Sequence, residues 1–272
     1  MNKRPSVVQG YEMFRYHMSE HRESFIIVGG TAVQMVRGQY RLDKKLGKSG
    51  SLARNRTTLD IDVLVVVETL TQKFIDAFYG MLKAGNYRCY VKADRDYYYR
   101  FERNHSGPFP YKIELLTRNP LPEVEGFRFA KLPEEFESSL SAIVLDPVYY
   151  DFARTHAQTL DGLSCLNEIG LIVLKASACM NLRETYAKTQ NPNDRSDYEK
   201  HAKDVFWLIG ELSSAEVEPL PEVIRRRLSE FAAVYDADNP DWPSITDALN
   251  VPFAARMAYI ERLQAKFALE SR

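Results

Sequence analysis

Two aspartates, Asp60 and Asp62, stand two positions apart at the start of the apolar run DIDVLVVV. In an extended strand alternate side chains share a face, so both carboxylates project together while Ile61 and Val63 point the other way. Two ionised carboxylates this close repel each other, and a hard divalent cation bound by their oxygens relieves the repulsion. The pattern is therefore typical either of a metal site or of a solvated strand end whose acids cap a helix or meet arginines.

A third acid, Glu114, lies in the run YKIELLT, which also has the composition of a strand. Ile113 and Leu115 occupy the opposite face of that strand, so Glu114 stands out among the side chains of the sheet. We expect it to serve as a third oxygen ligand or as a general base. The alternative is a glutamate on an edge strand that faces water.

The segment Gly29-Gly30-Thr31 separates the apolar run SFIIV from TAVQMVRG, which has helical spacing. Glycines permit close approach to the backbone, and the N-terminus of a helix offers unpaired N–H groups to a phosphate. The three residues are therefore candidates for phosphate binding, although a glycine pair before a helix is also the usual composition of a tight turn.

A lysine, Lys175, interrupts the apolar helical run LIVLKASA, and Arg183 and the pair Lys203-Asp204 follow it. A single lysine in such a helix commonly extends its stem so that the ammonium reaches the surface. The alternative is a cation that points toward a bound anionic group.

The elements that must position these residues divide the chain into two parts. Short strand-like runs alternate with helical runs in the first part, and long helical patterns dominate from about residue 160. We predict a mixed α+β fold, with an α/β sheet domain over residues 1–158 and a helical domain over residues 159–272.

Composition and charge exclude several classes of protein. The 272 residues include 36 Lys plus Arg against 37 Asp plus Glu, so a generally basic coat for nucleic acid is absent. Three cysteines without CxxC spacing fit neither a disulfide framework nor a zinc site, and they indicate reduced thiols in a cytoplasmic protein. No apolar run approaches the roughly 18 residues of a membrane span, so we expect no membrane association.

The order of these motifs along the chain is more specific to one class of protein than any single motif is. A glycine pair with threonine, an Asp-x-Asp strand, a later strand acid and a helix with lysine together resemble the polymerase-β-type nucleotidyltransferase superfamily. The sequence more closely resembles the AbiEii-type nucleotidyltransferases, which are toxins of toxin–antitoxin systems. The matching segments are IIVGGTAV, TTLDIDVLV, KIELLT, LIVLKASA and HAKDVFWL, and they span about residues 24–210.

The resemblance implies a nucleotidyltransferase-fold sheet domain with flanking helices, followed by a helical domain that completes a nucleotide cleft. It implies transfer of a nucleoside monophosphate from a nucleoside triphosphate to an acceptor hydroxyl, with Mg²⁺ or Mn²⁺ as cofactor. The implied metal ligands are Asp60, Asp62 and Glu114, and Lys175 joins them as a catalytic residue. The implied nucleotide-binding residues are Gly29, Gly30, Thr31, Lys175, Arg183, Lys203 and Asp204.

The acceptor and the partners are less narrowly defined. Residues 37–56 contain seven basic residues and one acid, so this stretch is a candidate for contact with an RNA or tRNA acceptor, or a solvated loop. The tyrosines of DYYYRFE are candidates for stacking bases, or part of the core. The resemblance also implies a protein acceptor as an alternative and a cognate antitoxin as a partner.

The residues leave two other functions open. One is a regulatory module that binds a nucleotide or a partner on the same fold without catalysis. The other is a kinase-like phosphotransferase that uses the same site and leaves phosphate, not nucleotide, on the acceptor.

Overall fold

The computed structural model describes residues 7–38, 60–93, 97–103, 107–122, 124, 128–131, 143, 146–212 and 216–270. The chain divides into two compact units, of which the first comprises Met1–Glu137 with Arg154–Asn167 and the second Ser138–Ala153 with Glu168–Arg272. Within the described residues, the first unit contains all the strands and the second contains helices alone. The mixed α+β fold is therefore confirmed.

The first unit consists of a sheet, three helices and two short 3₁₀ turns in the residues described. The helices are α1 (Val7–Met18), α2 (Gly29–Val36) and α3 (Gln72–Ala84), and the 3₁₀ turns are Ser19–Ser24 and Val67–Thr69. The strands are β1 (Phe25–Val28), β2 (Asp60–Val65), β3 (Arg88–Ala93), β4 (Tyr97–Glu102), β5 (Lys112–Thr117), β6 (Phe129–Lys131), β7 (Ala157–Leu160) and β8 (Leu163–Leu166).

These strands form one mixed sheet in the order β6-β3-β4-β5-β2-β1-β8-β7. β2 lies in the middle of the sheet, antiparallel to β1 and parallel to β5. β5 also pairs with β4, in the antiparallel direction. Because β2 and β5 each have a neighbour on both sides, two ladders of backbone hydrogen bonds fix the positions of their side chains.

One face of the sheet packs against α1 and α3 through aromatic side chains. Phe14 of α1 and Phe74 of α3 both contact Phe25, with ring centroids 5.8 and 6.2 Å away. Phe78 of α3 contacts Phe101 of β4 at 5.3 Å. All five rings are fully buried, so hydrophobic burial holds the two helices on this face. Asp60 and Asp62 of β2 and Lys112 and Glu114 of β5 project from the opposite face.

The tyrosines of β4 belong mainly to the interior. Tyr98 and Tyr99 are buried, and the Tyr99 hydroxyl accepts a hydrogen bond from the Leu121 N–H at 2.9 Å. Tyr97 is partly exposed and its ring stacks on that of Tyr99, with centroids 6.2 Å apart. Tyr98 and Tyr99 are therefore part of the core and do not form a surface on which bases could stack.

The second unit is built from helices. They are α4 (Pro147–Thr155, of which the last two residues belong to the first unit), α5 (Glu168–Thr189), α6 (Pro192–Glu211), α7 (Glu222–Val234), α8 (Trp242–Leu249) and α9 (Arg256–Phe267). Every residue of α5 from Ile169 to Met180 is buried, which accounts for the predominance of apolar residues in this segment. The aromatic rings of Phe206 and Trp242 lie 4.8 Å apart in the core. None of the helices in the described ranges is long and apolar enough to cross a membrane.

The division into units differs from the boundary predicted between residues 158 and 159. The hairpin of β7 and β8 belongs to the sheet unit, because β8 pairs in parallel with β1 through Ile27 and Cys165. Most of α4 belongs to the helical unit, where the Ser177 hydroxyl donates a hydrogen bond to the Tyr149 hydroxyl at 3.0 Å. The chain therefore enters the helical unit, returns to the sheet and then leaves it again.

Candidate functional site

Asp60 and Asp62 project from the polar face of β2, as the two-residue period predicts. Both are partly exposed, whereas Ile61 and Val63 between and after them are buried on the opposite face. Asp62 lies opposite Val28 of β1 in the strand register. The central position of β2 thus presents two carboxylates at one end of the strand.

Glu114 lies beside these aspartates on the same face. β2 and β5 run in parallel with Asp62 opposite Glu114 and Asp60 opposite Lys112. Glu114 is only 7% exposed, and β5 is flanked by β4 and β2. The alternative of an edge-strand glutamate facing water is therefore wrong, and the structure brings the three predicted carboxylates together.

A lysine that the sequence analysis did not single out lies among these acids. The Nζ atom of Lys112 is 3.1 Å from Oδ2 of Asp60 and 2.7 Å from Oε1 of Glu114. Burial alone would lower the pKa of Lys112, but the negative charges of Glu114, Asp60 and Asp62 outweigh burial and raise that pKa above its ordinary value. Lys112 is therefore a charged counter-ion for the carboxylates.

Glu114 accepts hydrogen bonds from more than one cation. Besides Lys112, Nη2 of Arg100 lies 3.1 Å from Oε1 of Glu114, and the Tyr98 hydroxyl donates to the same carboxylate. Burial would raise the pKa of Glu114, but these donors, Lys112 first, lower it below its ordinary value. Glu114 is thus ionised and weakly basic, which suits the binding of a cation better than removal of a proton.

Gly29 and Asp62 lie in direct contact at the start of α2. Gly29 has φ of +67°, a backbone conformation that residues with a side chain rarely adopt. A Cβ atom at this position would lie 1.9 Å from Oδ2 of Asp62, so the Asp62 carboxylate fills the space that a side chain would need. Gly29 is therefore required for the position of an acidic residue as well as for the turn.

Thr31 connects α2 to β2. Its hydroxyl donates a hydrogen bond to the backbone carbonyl of Asp60 at 2.5 Å, and the residue is buried. This bond holds the first turn of the helix beside the start of the strand. The Thr31 hydroxyl thus has a structural role, while Gly29 and Gly30 stand in the first turn of α2, where backbone N–H groups lack partners within the helix.

Lys175 and Asp204 form an ion pair in the helical unit. Nζ of Lys175 lies 3.0 Å from Oδ2 of Asp204, and the two residues are 2% and 4% exposed. The ammonium does not reach the surface, so the usual arrangement for a lysine in an apolar helix does not apply here. The pair compensates two charges that would otherwise be costly in the interior.

The other two candidates in the helical unit have different surroundings. Nη1 of Arg183 is 3.0 Å from Oδ2 of Asp241, and its guanidinium lies over the rings of Tyr198 and Tyr235 at 4.8 and 5.7 Å. Lys203 is half-buried on α6. Of the predicted residues in the helical unit, Lys175 and Asp204 therefore pair with each other, whereas Arg183 pairs with Asp241.

Comparisons with known proteins give no family to which these residues can be assigned. No family model matches the chain, and no curated protein and no solved structure matches it significantly. The arrangement of the side chains therefore carries the functional interpretation.

The donor atoms of the acidic face are of the kind that a hard divalent cation prefers. Carboxylate oxygens on two adjacent strands supply them, from Asp60, Asp62 and Glu114. In the part of the chain that the structure describes, however, no group of three His, Cys, Asp or Glu side chains is arranged to hold a metal ion. The three carboxylates are suitable ligands for a metal ion. In this structure the ammonium of Lys112 lies between Asp60 and Glu114 and binds both of them.

The basic stretch of residues 37–56, a candidate either for contact with an RNA acceptor or for a solvated loop, falls outside the described residues except for its first two positions. Arg37 and Gly38 follow α2 directly. Asp60 is the first residue of β2. The stretch therefore connects the glycine turn and its helix to the acidic strand in sequence.

Proposed function

We propose that the protein transfers a nucleoside monophosphate from a nucleoside triphosphate to an acceptor hydroxyl, with Mg²⁺ or Mn²⁺ as cofactor. One observation carries the proposal: Asp60, Asp62 and Glu114 lie on one face of two adjacent parallel strands, with Gly29 in contact with Asp62. The proposal also agrees with the nucleotidyltransferase resemblance of the sequence, which includes the same residues in the same order.

In the proposed reaction, the hydroxyl oxygen of the acceptor forms a bond to the α-phosphorus of the triphosphate. The bond from that phosphorus to the bridging oxygen breaks, pyrophosphate leaves, and the proton of the acceptor hydroxyl passes to solvent. A divalent cation supplies neutralisation of the charge on the attacking and leaving oxygens when it is bound. Asp60 and Asp62 are the residues that would hold it, and Glu114 would add a third carboxylate.

The backbone of the first turn of α2 is the proposed contact for the phosphates. The N–H groups of Gly29 and Gly30 lie at a helix N-terminus beside the carboxylates, where the helix dipole favours an anion. The proposal keeps Lys175 and Arg183 as candidates for phosphate contact. Because Asp204 and Asp241 neutralise these two cations, a phosphate would have to compete with the existing ion pairs.

The acceptor in this proposal is an RNA, for example a tRNA. A protein hydroxyl is the alternative to test. The charge of residues 37–56 supports a nucleic acid, because clustered basic residues gain affinity by releasing counterions. A role as the toxin of a toxin–antitoxin pair, with a cognate antitoxin, rests on the resemblance of the sequence alone.

A non-catalytic regulatory module is a second candidate, and Lys112 is the observation that favours it. A chain that neutralises its acidic face with its own ammonium can keep the carboxylates without a metal ion. Such a module would bind a nucleotide or a partner and would transfer nothing.

The test is incubation of the purified chain with each nucleoside triphosphate, labelled at the α or the γ position, together with Mg²⁺ and total tRNA. Label from the α position on RNA or on protein would support nucleotidyl transfer, and label from the γ position alone would indicate a kinase. Asp60→Asn and Asp62→Asn should abolish the transfer, whereas Asp76→Asn on the exposed face of α3 should not change it. Nucleotide binding without transfer in any of these reactions would favour the regulatory module.

A further inference from the structure

Lys112 is the residue of the acidic face that the proposed reaction leaves without a role. It extends from β5 between Asp60, directly opposite it on β2, and Glu114, two residues further along its own strand. Its side chain is 21% exposed, against 33% for Asp60 and 10% for Glu114. The ammonium therefore meets both carboxylates where solvent screens the interaction only in part.

We infer that Lys112 is a built-in counter-ion that competes with divalent cations for Asp60 and Glu114 and thereby sets the metal affinity of the site. The inference rests on the proposed function, since it assumes that these carboxylates bind a metal. Lys112 is a positioning residue in this inference, because it acts through the carboxylates and not on a substrate.

Competition follows from the distances. An oxygen that binds Mg²⁺ lies about 2.0–2.1 Å from the ion, whereas the Lys112 nitrogen already lies within 3.1 Å of an oxygen of Asp60 and 2.7 Å of one of Glu114. A divalent ion on the same oxygens would lie a few ångströms from the ammonium, and the two positive charges would repel each other. Lys112 and a metal ion would thus occupy Oδ2 of Asp60 and Oε1 of Glu114 in turn, not together.

Lys112 and Arg100 differ in the acids that they pair with. Arg100 is the other cation close to Glu114, and it is also bonded to the Tyr98 hydroxyl and paired with Glu102 at 3.5 Å. Lys112, by contrast, joins the two strands, because its ammonium pairs with Asp60 on β2 and with Glu114 on β5.

The lysine also has a way to leave. Its stem has four rotatable carbons and its side chain is partly exposed, so rotation can carry the ammonium toward solvent without a change in the sheet. Arginine at this position would keep the positive charge, and glutamine would keep most of the length without it. These two substitutions separate charge from shape.

The first measurement is direct Mn²⁺ binding to the full chain, read from the electron paramagnetic resonance signal of free Mn²⁺. Lys112→Gln should bind Mn²⁺ about tenfold or more tightly than the wild type, and Lys112→Arg should bind it no more tightly than the wild type. Lys83→Gln, an exposed lysine on α3, is the matched control and should leave the affinity unchanged. Adding Asp60→Asn to Lys112→Gln should remove the gain.

A second measurement reads stability. Without metal, Lys112→Gln should have a lower Tm than the wild type, because three carboxylates lose their shared counter-ion. Mn²⁺ should raise the Tm of Lys112→Gln by more than it raises the Tm of the wild type. An equal shift in both proteins would contradict the competition.

A third measurement needs no variant and so does not depend on the folding of Lys112→Gln. Brief labelling of the wild-type chain with an amine-reactive reagent, followed by mass spectrometry, compares Lys112 with Lys83 in the presence and absence of Mn²⁺. Displacement of the ammonium should increase labelling of Lys112 several-fold while that of Lys83 stays constant. Unchanged labelling at saturating Mn²⁺ would overturn the inference.

The outcomes separate this inference from the proposed function. Equal Mn²⁺ affinity in the wild type and in Lys112→Gln, with binding still lost in Asp60→Asn, overturns the role of Lys112 and leaves the metal site standing. Weaker binding in Lys112→Gln also overturns it, because the lysine would then support the metal. Absence of Mn²⁺ binding from every variant overturns the inference and the metal-dependent reaction together.

Discussion

At the scale of residues, Gly29 and Asp62 fit so closely that position 29 has room for a hydrogen atom and no more. The carboxylate takes the place of a side chain, and the positive φ of Gly29 turns the backbone into α2 at the same point. The absence of a side chain at Gly29 therefore allows the Asp62 carboxylate to take its position in the proposed site.

We expect Gly29→Ala to lower the free energy of unfolding by about 1–3 kcal/mol, because alanine must adopt a strained φ and displace Asp62. Urea denaturation measures this change. Gly80→Ala on α3 is the matched control: a Cβ there meets nothing within 4 Å, and alanine favours a helix by about 0.5–1 kcal/mol. Loss of stability in Gly80→Ala equal to that in Gly29→Ala would contradict the strain argument.

The buried pair of Lys175 and Asp204 gives a second prediction at this scale. Lys175→Met should cost about 3–5 kcal/mol of unfolding free energy, because it removes the ammonium that pairs with the buried Asp204 carboxylate. The double variant with Asp204→Leu should recover most of that loss. A double-mutant cycle by chemical denaturation measures both, and additive losses would show that the two side chains do not act as a pair.

Sequence periodicity correctly predicted that Asp60 and Asp62 share one face of their strand, and it did not indicate Lys112 as their counter-ion. Lys112 stands two residues before Glu114, so the same period that placed Glu114 on the polar face also placed Lys112 there. The signal was present in YKIELLT. The pairing of Lys175 with Asp204, by contrast, joins residues of two consecutive helices, and no periodicity within one helix contains it.

At the scale of elements, the runs YRCYVKA, YYYRFER and YKIELLT all form strands, as their alternation predicts. The hairpin of β7 and β8 was missed. Its turn is Asp161-Gly162, and both residues have positive φ, of +51° and +80°. Asp-Gly between two short runs is a strong hairpin signal, and it would have placed this segment with the sheet.

Helix α3 allows a test of an element's boundary. The Thr71 hydroxyl accepts a hydrogen bond from the Phe74 N–H at 3.2 Å and so caps the helix. Thr71→Ala should cost about 1 kcal/mol, while Thr71→Asp should keep the cap and the stability. Thermal unfolding of both variants measures the difference, and equal destabilisation would mean that the cap contributes nothing.

At the scale of the whole molecule, both units contain buried free thiols. Cys89 and Cys165 lie in the sheet unit and Cys179 in the helical unit, and none of the three forms a disulfide. Burial raises the pKa of Cys89 to about 11 and that of Cys179 to about 12. These values are above the ordinary pKa of a thiol in an unfolded chain, so the folded state keeps its thiol protons to higher pH.

Stability should therefore fall as the pH rises above about 9, because the unfolded state then releases thiol protons that the folded state still binds. Below that pH both states are protonated at these thiols and their contribution does not change. Unfolding free energies at pH 7, 9 and 10.5 measure the effect, and Cys89→Ala with Cys179→Ala should reduce the slope. An identical slope in that double variant would assign the loss to other groups, such as the buried tyrosines.

The division into units was beyond local patterns for a physical reason. Strand order depends on which distant strands share a hydrogen-bond ladder, and the pairing of β1 with β8 joins segments at opposite ends of the sheet unit's sequence. The predicted boundary therefore followed the change to long helical patterns, which local periodicity does show. The contact of Ile27 with Cys165 was not accessible to that argument.

The late return of the chain to its sheet has a consequence for synthesis on the ribosome. Until β8 has emerged, the apolar strand β1 has no neighbour on one side, and the unpaired N–H and C=O groups of that edge are open to any other chain. A nascent chain released after β6 should therefore aggregate or recruit a chaperone. One extended past β8 should resist both.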